Sequence, residues 1–480
     1  MKREYMETVE GVPGSAGSPW LDADPDEYPV LHDDHEADVL IVGGGITGAL
    51  LARKLSAQGR HVVVLERRRN ASGTTGHSTA KVTALHRASW GELLGTHPRE
   101  EIRAWALANL AAVDELSDIA LANGNDCGFR TLPGYLVAGD DKAADDFGEQ
   151  VASLLSAGLQ VTAVEAPDPF GRPAAELSGQ AMIDPAAFVT GVLSSLGPNS
   201  DVYEMSPVRS LAHVDGGWRA QCDSGSVWAP IAVMADHAPV HDTGGFFARL
   251  FPYTHYVLEV APEIEIPDGM WLQTGGEDLT LRPANSAHGN WIVSGQRTRA
   301  GSAHDEREPY AKLAAAATRL LGKLSVVRHW STHDHDTPDG LPFIGQAPLG
   351  RNLFMAAGYA GWGMTKSVVA SSIIADAIDG RSSVLAEMLS PSRRPRLDWV
   401  APLVGENATV GREFFSGHLT SRHKRLHADS VAGHACTHLG CETKWNMAEG
   451  TVDCPCHGSR FDRQGQVLYG PAAKDIEADS

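Results

Sequence analysis

The run Ala37-Asp-Val-Leu-Ile-Val42-Gly43-Gly-Gly45-Ile-Thr-Gly48, followed by His61-Val-Val-Val-Leu65-Glu66, decides how this chain folds. Its opening residues read as a buried strand that runs straight into three glycines. A helical pattern continues to about Gln58, and the second apolar run makes another strand that ends in an acid. A glycine triplet alone says little. Strand, glycines, helix, strand and terminal acid in one short unit form the dinucleotide-binding fingerprint. Gly43 allows the tight turn, Gly45 lets a pyrophosphate approach the backbone, Gly48 permits close helix packing, and Glu66 is placed to hold ribose hydroxyls. A second such pattern for a nicotinamide nucleotide is absent from the sequence.

The segments after Glu66 bear on which dinucleotide is bound. Gly73-Thr-Thr75-Gly76-His77-Ser-Thr-Ala-Lys81 resembles the Gly/Ser/Thr loop that flavoproteins of the D-amino-acid oxidase and glycine oxidase superfamily place beside FAD. Ser206-Pro-Val208-Arg-Ser-Leu211 is similar to the strand whose valine contacts the adenine in those proteins. Asp339-Gly-Leu-Pro342-Phe-Ile-Gly345 and Ala357-Gly358-Tyr-Ala-Gly361-Trp-Gly363-Met-Thr365 resemble their returning flavin segment. An apolar helix then runs to about Ile378, with its N-terminal dipole available to a flavin carbonyl. The resemblance spans about Trp20 to Gly380. It implies FAD held by Gly43, Gly45, Gly48, Glu66, Thr75, Val208, Gly358, Gly361, Gly363 and Thr365. Non-covalent binding is expected, because no cysteine lies in these motifs; His77 is the alternative point of attachment.

Near the C-terminal end stand Cys436-Thr-His438-Leu-Gly-Cys441 and Cys454-Pro-Cys456-His457-Gly-Ser459. A [2Fe-2S] centre with mixed ligands needs one cysteine and one histidine from each of two facing loops. A zinc quartet is the rival, since short-spaced Cys/His sets also bind zinc tetrahedrally. The segment resembles the Rieske proteins of cytochrome bc complexes, through both loops and through Gly470-Pro471-Ala472, which matches their proline loop. That resemblance implies Cys436 and Cys454 on one iron, His438 and His457 on the other, and a disulfide between Cys441 and Cys456. It also places Ser459 as a donor to the cluster, with Phe461 where high-potential members carry a tyrosine. Losing that donor implies a lower reduction potential, because hydrogen bonds to sulfur favour the more negative reduced cluster. No helix-borne pair of histidines with a carboxylate is found for a mononuclear iron, so a ring-hydroxylating oxygenase is not expected.

The 480 residues suit two or three modules. We expect an extended N-terminal arm over residues 1–36, rich in Gly, Pro and acids. An FAD-dependent oxidoreductase unit over 37–389, a glutathione-reductase-type α/β domain interrupted by an α+β substrate domain, would follow. A Pro/Arg-rich linker over 390–398 would lead to a small all-β Rieske domain over 399–480. The stretch from about Asp398 to Ala435 lacks obvious leading strands, which suggests a trimmed base for that domain. Helical patterns are read at Arg99 to Ala122, Lys142 to Ala157 and Pro185 to Leu196, and strands at Ile231 to Met234 and Gly289 to Gly295. A formal charge of −20 argues against nucleic acid, whose binding needs a positive surface. Met1 to Asp38 contains no secretory pattern and no apolar run reaches spanning length, so a cytoplasmic protein without a transmembrane segment is expected. An oligomer is compatible with the sequence.

For chemistry, His77 and Lys81 lie in the loop that the resemblance places beside the flavin. Arg282, in Leu279-Thr-Leu-Arg-Pro283, has the fork to clamp a carboxylate. The run His333-Asp-His-Asp336 invites a metal reading, but alternation along a strand would send neighbours to opposite faces. The combined expectation is a dehydrogenase for a small amine or amino acid, with FAD and a [2Fe-2S] cluster as cofactors and an external electron acceptor as partner. Two alternatives stand beside it: a reversed current, in which a donor protein loads the cluster, and a redox sensor, which need not keep an open cavity at the flavin.

Overall fold

The computed structural model describes residues 11–23, 27–87, 89–124, 127–285, 289–302, 305–420 and 431–477, without side chains for 416–420. Val39–Val42 and Val62–Leu65 are β-strands buried along their whole length, which is why they read as unbroken apolar runs. They lie inside a six-stranded sheet ordered Phe343–Gln346, Leu353–Ala357, Ile231–Met234, Val39–Val42, Val62–Leu65, Ser200–Tyr203. All its pairings are parallel except the first. The helix Ile46–Ala57 follows the glycines, and Gly363–Ile378 packs against it. Strands contributed from such distant parts of the chain are what a doubly wound α/β domain with an insertion requires.

The insertion builds a ten-stranded mixed sheet. Its backbone is three long antiparallel neighbours, Leu324–Asp336, Phe251–Pro262 and Trp291–Arg299. A smaller sheet of Ser210–Val214, Gly217–Gln221, Ser226–Ala229 and His35–Glu36 flanks the nucleotide domain. At the C-terminal end, Lys444–Asn446, Thr451–Asp453, Arg460–Phe461 and Val467–Tyr469 form a four-stranded antiparallel sheet over its own small core. The overall class is therefore an FAD-binding α/β fold with mixed sheets and a small all-β domain behind it.

Several local expectations need correction. Residues 1–10 and 24–26 lie outside the described residues, but the expected arm is tied down at two described points. Ser15–Ala16 pairs in parallel with the strand Leu324–Asp336, and His35–Glu36 pairs with Ser226–Ala229. The stretch read as one helix from Lys142 is two, Asp141–Asp145 and Phe147–Ser156, the first capped by Asp140 accepting from the Ala143 amide at 2.7 Å. The strand placed at Gly289 to Gly295 runs instead over Trp291–Arg299. Beyond the Pro/Arg-rich stretch, the segment expected to lack leading strands carries a helix instead, Val400–Thr420, which the sequence did not announce. Its glycines at 405 and 411 hide it, because glycine is a poor helix former.

Candidate active site and cluster centre

Ending at the edge of the parallel sheet, Val42 delivers the glycine turn to the mouth of a large cavity. At Gly43 (φ +110°) a Cβ would stand 2.5 Å from the Ala235 carbonyl oxygen, and at Gly48 one would stand 2.0 Å from the Gly43 oxygen. Neither position has room for a side chain. Glu66 Oε2 accepts from the Gly44 amide at 2.8 Å and Oε1 from the Arg68 amide at 2.9 Å, so the carboxylate is fixed beside the turn. Thr75 Oγ1 accepts from the Ile46 amide at 3.2 Å, which ties the Gly/Ser/Thr loop to the start of the helix.

These elements wall a cavity of about 710 Å³. Gly43, Gly45, Glu66, Thr75, Val208, Gly358, Gly361 and Gly363 all line it, although they come from four separate parts of the sequence. Gly48 does not line it and serves packing. Thr365 is buried behind it, with Oγ1 3.3 Å from His86 Nε2. The first turn of Gly363–Ile378 opens on the cavity. A long cleft with a glycine-cleared backbone at one end and a helix N-terminus at the other fits FAD.

Away from the glycine turn, the lining comes from the ten-stranded sheet and its neighbours and mixes Lys81, Arg87, His255, Thr280, Arg297 and Lys366 with Asp278, Asp334 and Asp336; Arg87 pairs with Asp278. Lys81 Nζ donates to Thr280 Oγ1 at 2.8 Å. Burial, then the nearby Arg282 and Arg87, hold its ammonium well below the usual range. Burial lowers Lys366 to about 8 even though Asp334 and Asp336 pull the other way. Arg297 pairs with Asp336 and lies 3.7 Å from the centre of the Tyr253 ring.

Two residues expected at the chemistry are elsewhere. His77 does not line the cavity; its Nδ1 bonds the Gly73 carbonyl at 2.9 Å and its own carbonyl accepts from Trp330 Nε1. Arg282 lies outside the lining too, fully buried with its guanidinium 4.7 Å from the centre of the Trp20 ring. By strand alternation it shares a face with Thr280, but it lies beyond the cavity's end. Sequence reasoning missed Arg87, His255, Arg297 and Lys366. Only Lys366, next to the glycine-rich flavin segment, carried a signal.

The metal centre is built by two tight loops. Cys436 donates its amide to the Cys441 carbonyl at 2.7 Å, and Cys454 donates to the Ser459 carbonyl at 2.8 Å. The Cys436 and Cys454 thiols meet, while the His438 and His457 rings stand 5.0 Å apart at 88°. Thiol lies near thiol and imidazole near imidazole, the grouping that a mixed-ligand [2Fe-2S] cluster calls for. His438 Nδ1 is buried with no hydrogen-bond partner among the described residues, which suits a nitrogen kept for iron. Cys441 and Cys456 are joined in a disulfide. Ser459 Oγ touches the Cys436 thiol and accepts from the Ala472 amide at 3.2 Å, and Phe461 is fully buried among the cysteines.

The two units are closely joined. Leu468, Tyr469 and Gly470 of the small domain line the large cavity. At Gly458 a Cβ would stand 2.6 Å from Pro252 Cβ, and at Gly301 one would stand 2.9 Å from Pro455 Cα. Arg299 Nη2 donates to the Cys456 carbonyl at 3.2 Å and Arg460 Nη1 to Ser331 Oγ at 3.0 Å. The strand Leu324–Asp336 forms the shared wall. Thr332, Asp334 and Asp336 face the cavity, whereas His333 meets the small domain, 3.3 Å from the Gly458 carbonyl and edge-on to Tyr469. The His-Asp-His-Asp run is therefore a two-sided strand and not a metal site.

Comparison with known proteins agrees with both halves. The DAO model, described as FAD dependent oxidoreductase, matches residues 38–377, and the Rieske [2Fe-2S] domain model matches 414–478. Bacillus subtilis (strain 168) YhfW, named as a Rieske 2Fe-2S iron-sulfur protein, is 29% identical over 484 residues, covering 94% of each chain. Glycine oxidase from Geobacillus kaustophilus superposes with a TM-score of 0.63 at 18% identity, covering 75% of this chain and all of that one. An L-amino acid deaminase from Proteus vulgaris gives 0.62 at 18% identity, covering 79% and 98%. Among the described residues no helix is long and apolar enough to cross a membrane.

Proposed function

Because the chain belongs to the DAO family of FAD-dependent oxidoreductases and carries a Rieske [2Fe-2S] domain, we propose that it oxidises a small amine or amino acid and passes the electrons through the cluster to an external acceptor. FAD supplies a ring that accepts a hydride from the carbon beside nitrogen, and the cluster supplies a one-electron carrier. The protein's own part is binding, orientation and proton handling. Backbone at Gly43 and Gly45 would hold the pyrophosphate, Glu66 the ribose and Val208 the adenine. The Arg87 and Arg297 guanidinium forks, paired with Asp278 and Asp336, line the cavity and are the groups suited to hold a substrate carboxylate, as in an amino acid. Lys81 Nζ, whose charge is disfavoured by burial, is suited to take the proton that a substrate ammonium must lose before hydride leaves.

The observation that carries this reading is one cavity with three kinds of wall: the fingerprint, a pocket of paired charged side chains and the loop Leu468–Gly470 of the cluster domain. An open cavity of this size is also what a redox sensor would not need to keep. Titratable groups in the lining together with a wall from the cluster domain suit turnover with internal electron transfer. The test is anaerobic mixing of the holoprotein with a panel of amines and amino acids, following flavin and cluster bleaching separately. Flavin first, then cluster, is expected. The reading fails if none of the panel bleaches the flavin while a reduced ferredoxin bleaches the cluster first.

A further inference from the structure

On the cluster side of the shared wall, His335 occupies a place that neither cofactor's binding motif accounts for. It is buried, and its Nδ1 lies 3.1 Å from His237 Nε2. His237 lines the large cavity from the turn after Ile231–Met234, held in a left-handed conformation at φ 69°. A non-glycine residue in that region is strained, and such strain persists where the surroundings impose it. On its other side the His335 imidazole faces the loop that carries His457. His335 also shares a narrow cleft with His438 and His457, closed by Phe247 and Pro471. Cavity wall, His237, His335 and the His457 loop thus form one contiguous line, hydrogen-bonded between the two histidines and continued across the cleft. It leads to the imidazole side of the cluster and not to its cysteines.

We propose that His237 and His335 are the bridge by which electrons cross from the flavin cavity to the histidine-ligated iron. The proposal rests on the electron outlet described under the proposed function and adds its route. Transfer between redox centres falls steeply with separation, and a hydrogen-bonded path conducts better than a gap. Each crossing moves one electron. One ferric ion of the cluster becomes ferrous, the carrier in the cavity loses one electron with its proton left on the cavity side, and neither histidine gains or loses a proton. The second electron crosses after the first has passed to a one-electron acceptor, for which ferricyanide serves in vitro. On this route the ligand histidines face inward, and an external acceptor must approach from another side of the cluster loops, where Leu439 is exposed.

Photoreduction tests the bridge without any substrate. Anaerobic holoprotein is pulsed with blue light in the presence of EDTA, which reduces bound FAD, and cluster reduction is followed by visible circular dichroism and electron paramagnetic resonance. In His335→Leu and His237→Leu the cluster should fill at least roughly tenfold more slowly, with FAD content and the resonance spectrum of the cluster unchanged. His335→Gln, which keeps hydrogen-bonding capacity, should recover part of the rate. His237→Leu lies away from the ligand loop and serves even if His335→Leu loses its cluster. Filling rates within twofold of the wild type in His237→Leu, with both cofactors present, overturn the proposal. If no amine reduces the flavin yet the light pulse fills the cluster at a rate that depends on His237, the substrate reading fails and the bridge stands.

Discussion

Arg460→Met should loosen the cluster domain more than any other single change at the junction. Arg460 and Asp453 are almost completely buried and form a double hydrogen bond, with Nε to Oδ1 and Nη2 to Oδ2 both at 2.8 Å. The same guanidinium reaches Ser331 on the shared wall. Removing Arg460 leaves Asp453 without its cation, with Asn446 Nδ2 at 2.9 Å and Thr451 Oγ1 at 3.0 Å still donating to it, and losing one partner of a buried pair costs about 3–5 kcal/mol. That is a factor of roughly a hundred to a few thousand in the folding equilibrium. With a urea slope near 2 kcal/mol/M, the midpoint for loss of the cluster's visible circular dichroism should fall by roughly 1.5–2.5 M. The deficit should depend on pH. Burial pushes the Asp453 carboxyl up, but Arg460, helped by His333 and Asn446, holds it below the usual range. Its contribution to wild-type stability is present above the unfolded pKa and is lost as pH falls through the folded value. Without Arg460, burial raises the folded value, so the variant loses stability as pH rises. The gap should be widest near neutrality and narrow towards about pH 4. Arg460→Met with Asp453→Leu should recover part of the loss. A midpoint shift under about 0.5 M at neutral pH, with the cluster intact, would show that the pair does not hold the domain.

Other expectations are simpler to check. Cys454→Ser should abolish the cluster's resonance signal while leaving FAD bound; loss of both cofactors would contradict separate binding sites. Phe461→Tyr should raise the cluster's reduction potential in a redox titration, because it restores a donor at a fully buried position among the ligand cysteines. Gly48→Val should cost FAD binding, measured as flavin retained after gel filtration, since its Cβ would collide with the Gly43 carbonyl. Lys366 has a folded pKa of about 8, below that of a free lysine, so the unfolded chain binds more protons between that value and about 10.4. The apoprotein should therefore gain urea resistance relative to Lys366→Met as pH rises through that window, and a flat difference would speak against a buried Lys366.

The parts legible in the sequence are those where the backbone sets the rule. Gly43 and Gly48 announce their turn because a side chain at either would collide with backbone. The two cluster loops carry ligands, turn glycine and disulfide within a few residues of one another. The substrate end was illegible for the opposite reason. Arg87, His255 and Arg297 are single residues on separate strands and loops, ordinary in their local context, and only the ten-stranded sheet brings them together. Arg282 shows how alternation misleads. It has the right face and the right chemistry, yet the strand carries it past the end of the cavity to Trp20. His77 sits in the right loop, but a short helical turn, Thr75–His77, points its ring back to Gly73.

The shared strand Leu324–Asp336 carries a consequence for how such a protein can change over evolutionary time. Its carboxylates serve one cofactor's chamber and its imidazoles the other's, so a single inserted or deleted residue there would exchange the two sets. Substitutions remain open to drift, but the length of this segment does not. The Rieske domain is in that sense no passenger that could be traded for another electron carrier at a linker. Whatever replaced it would have to supply its own lid for Leu468–Gly470 and its own partner for His333.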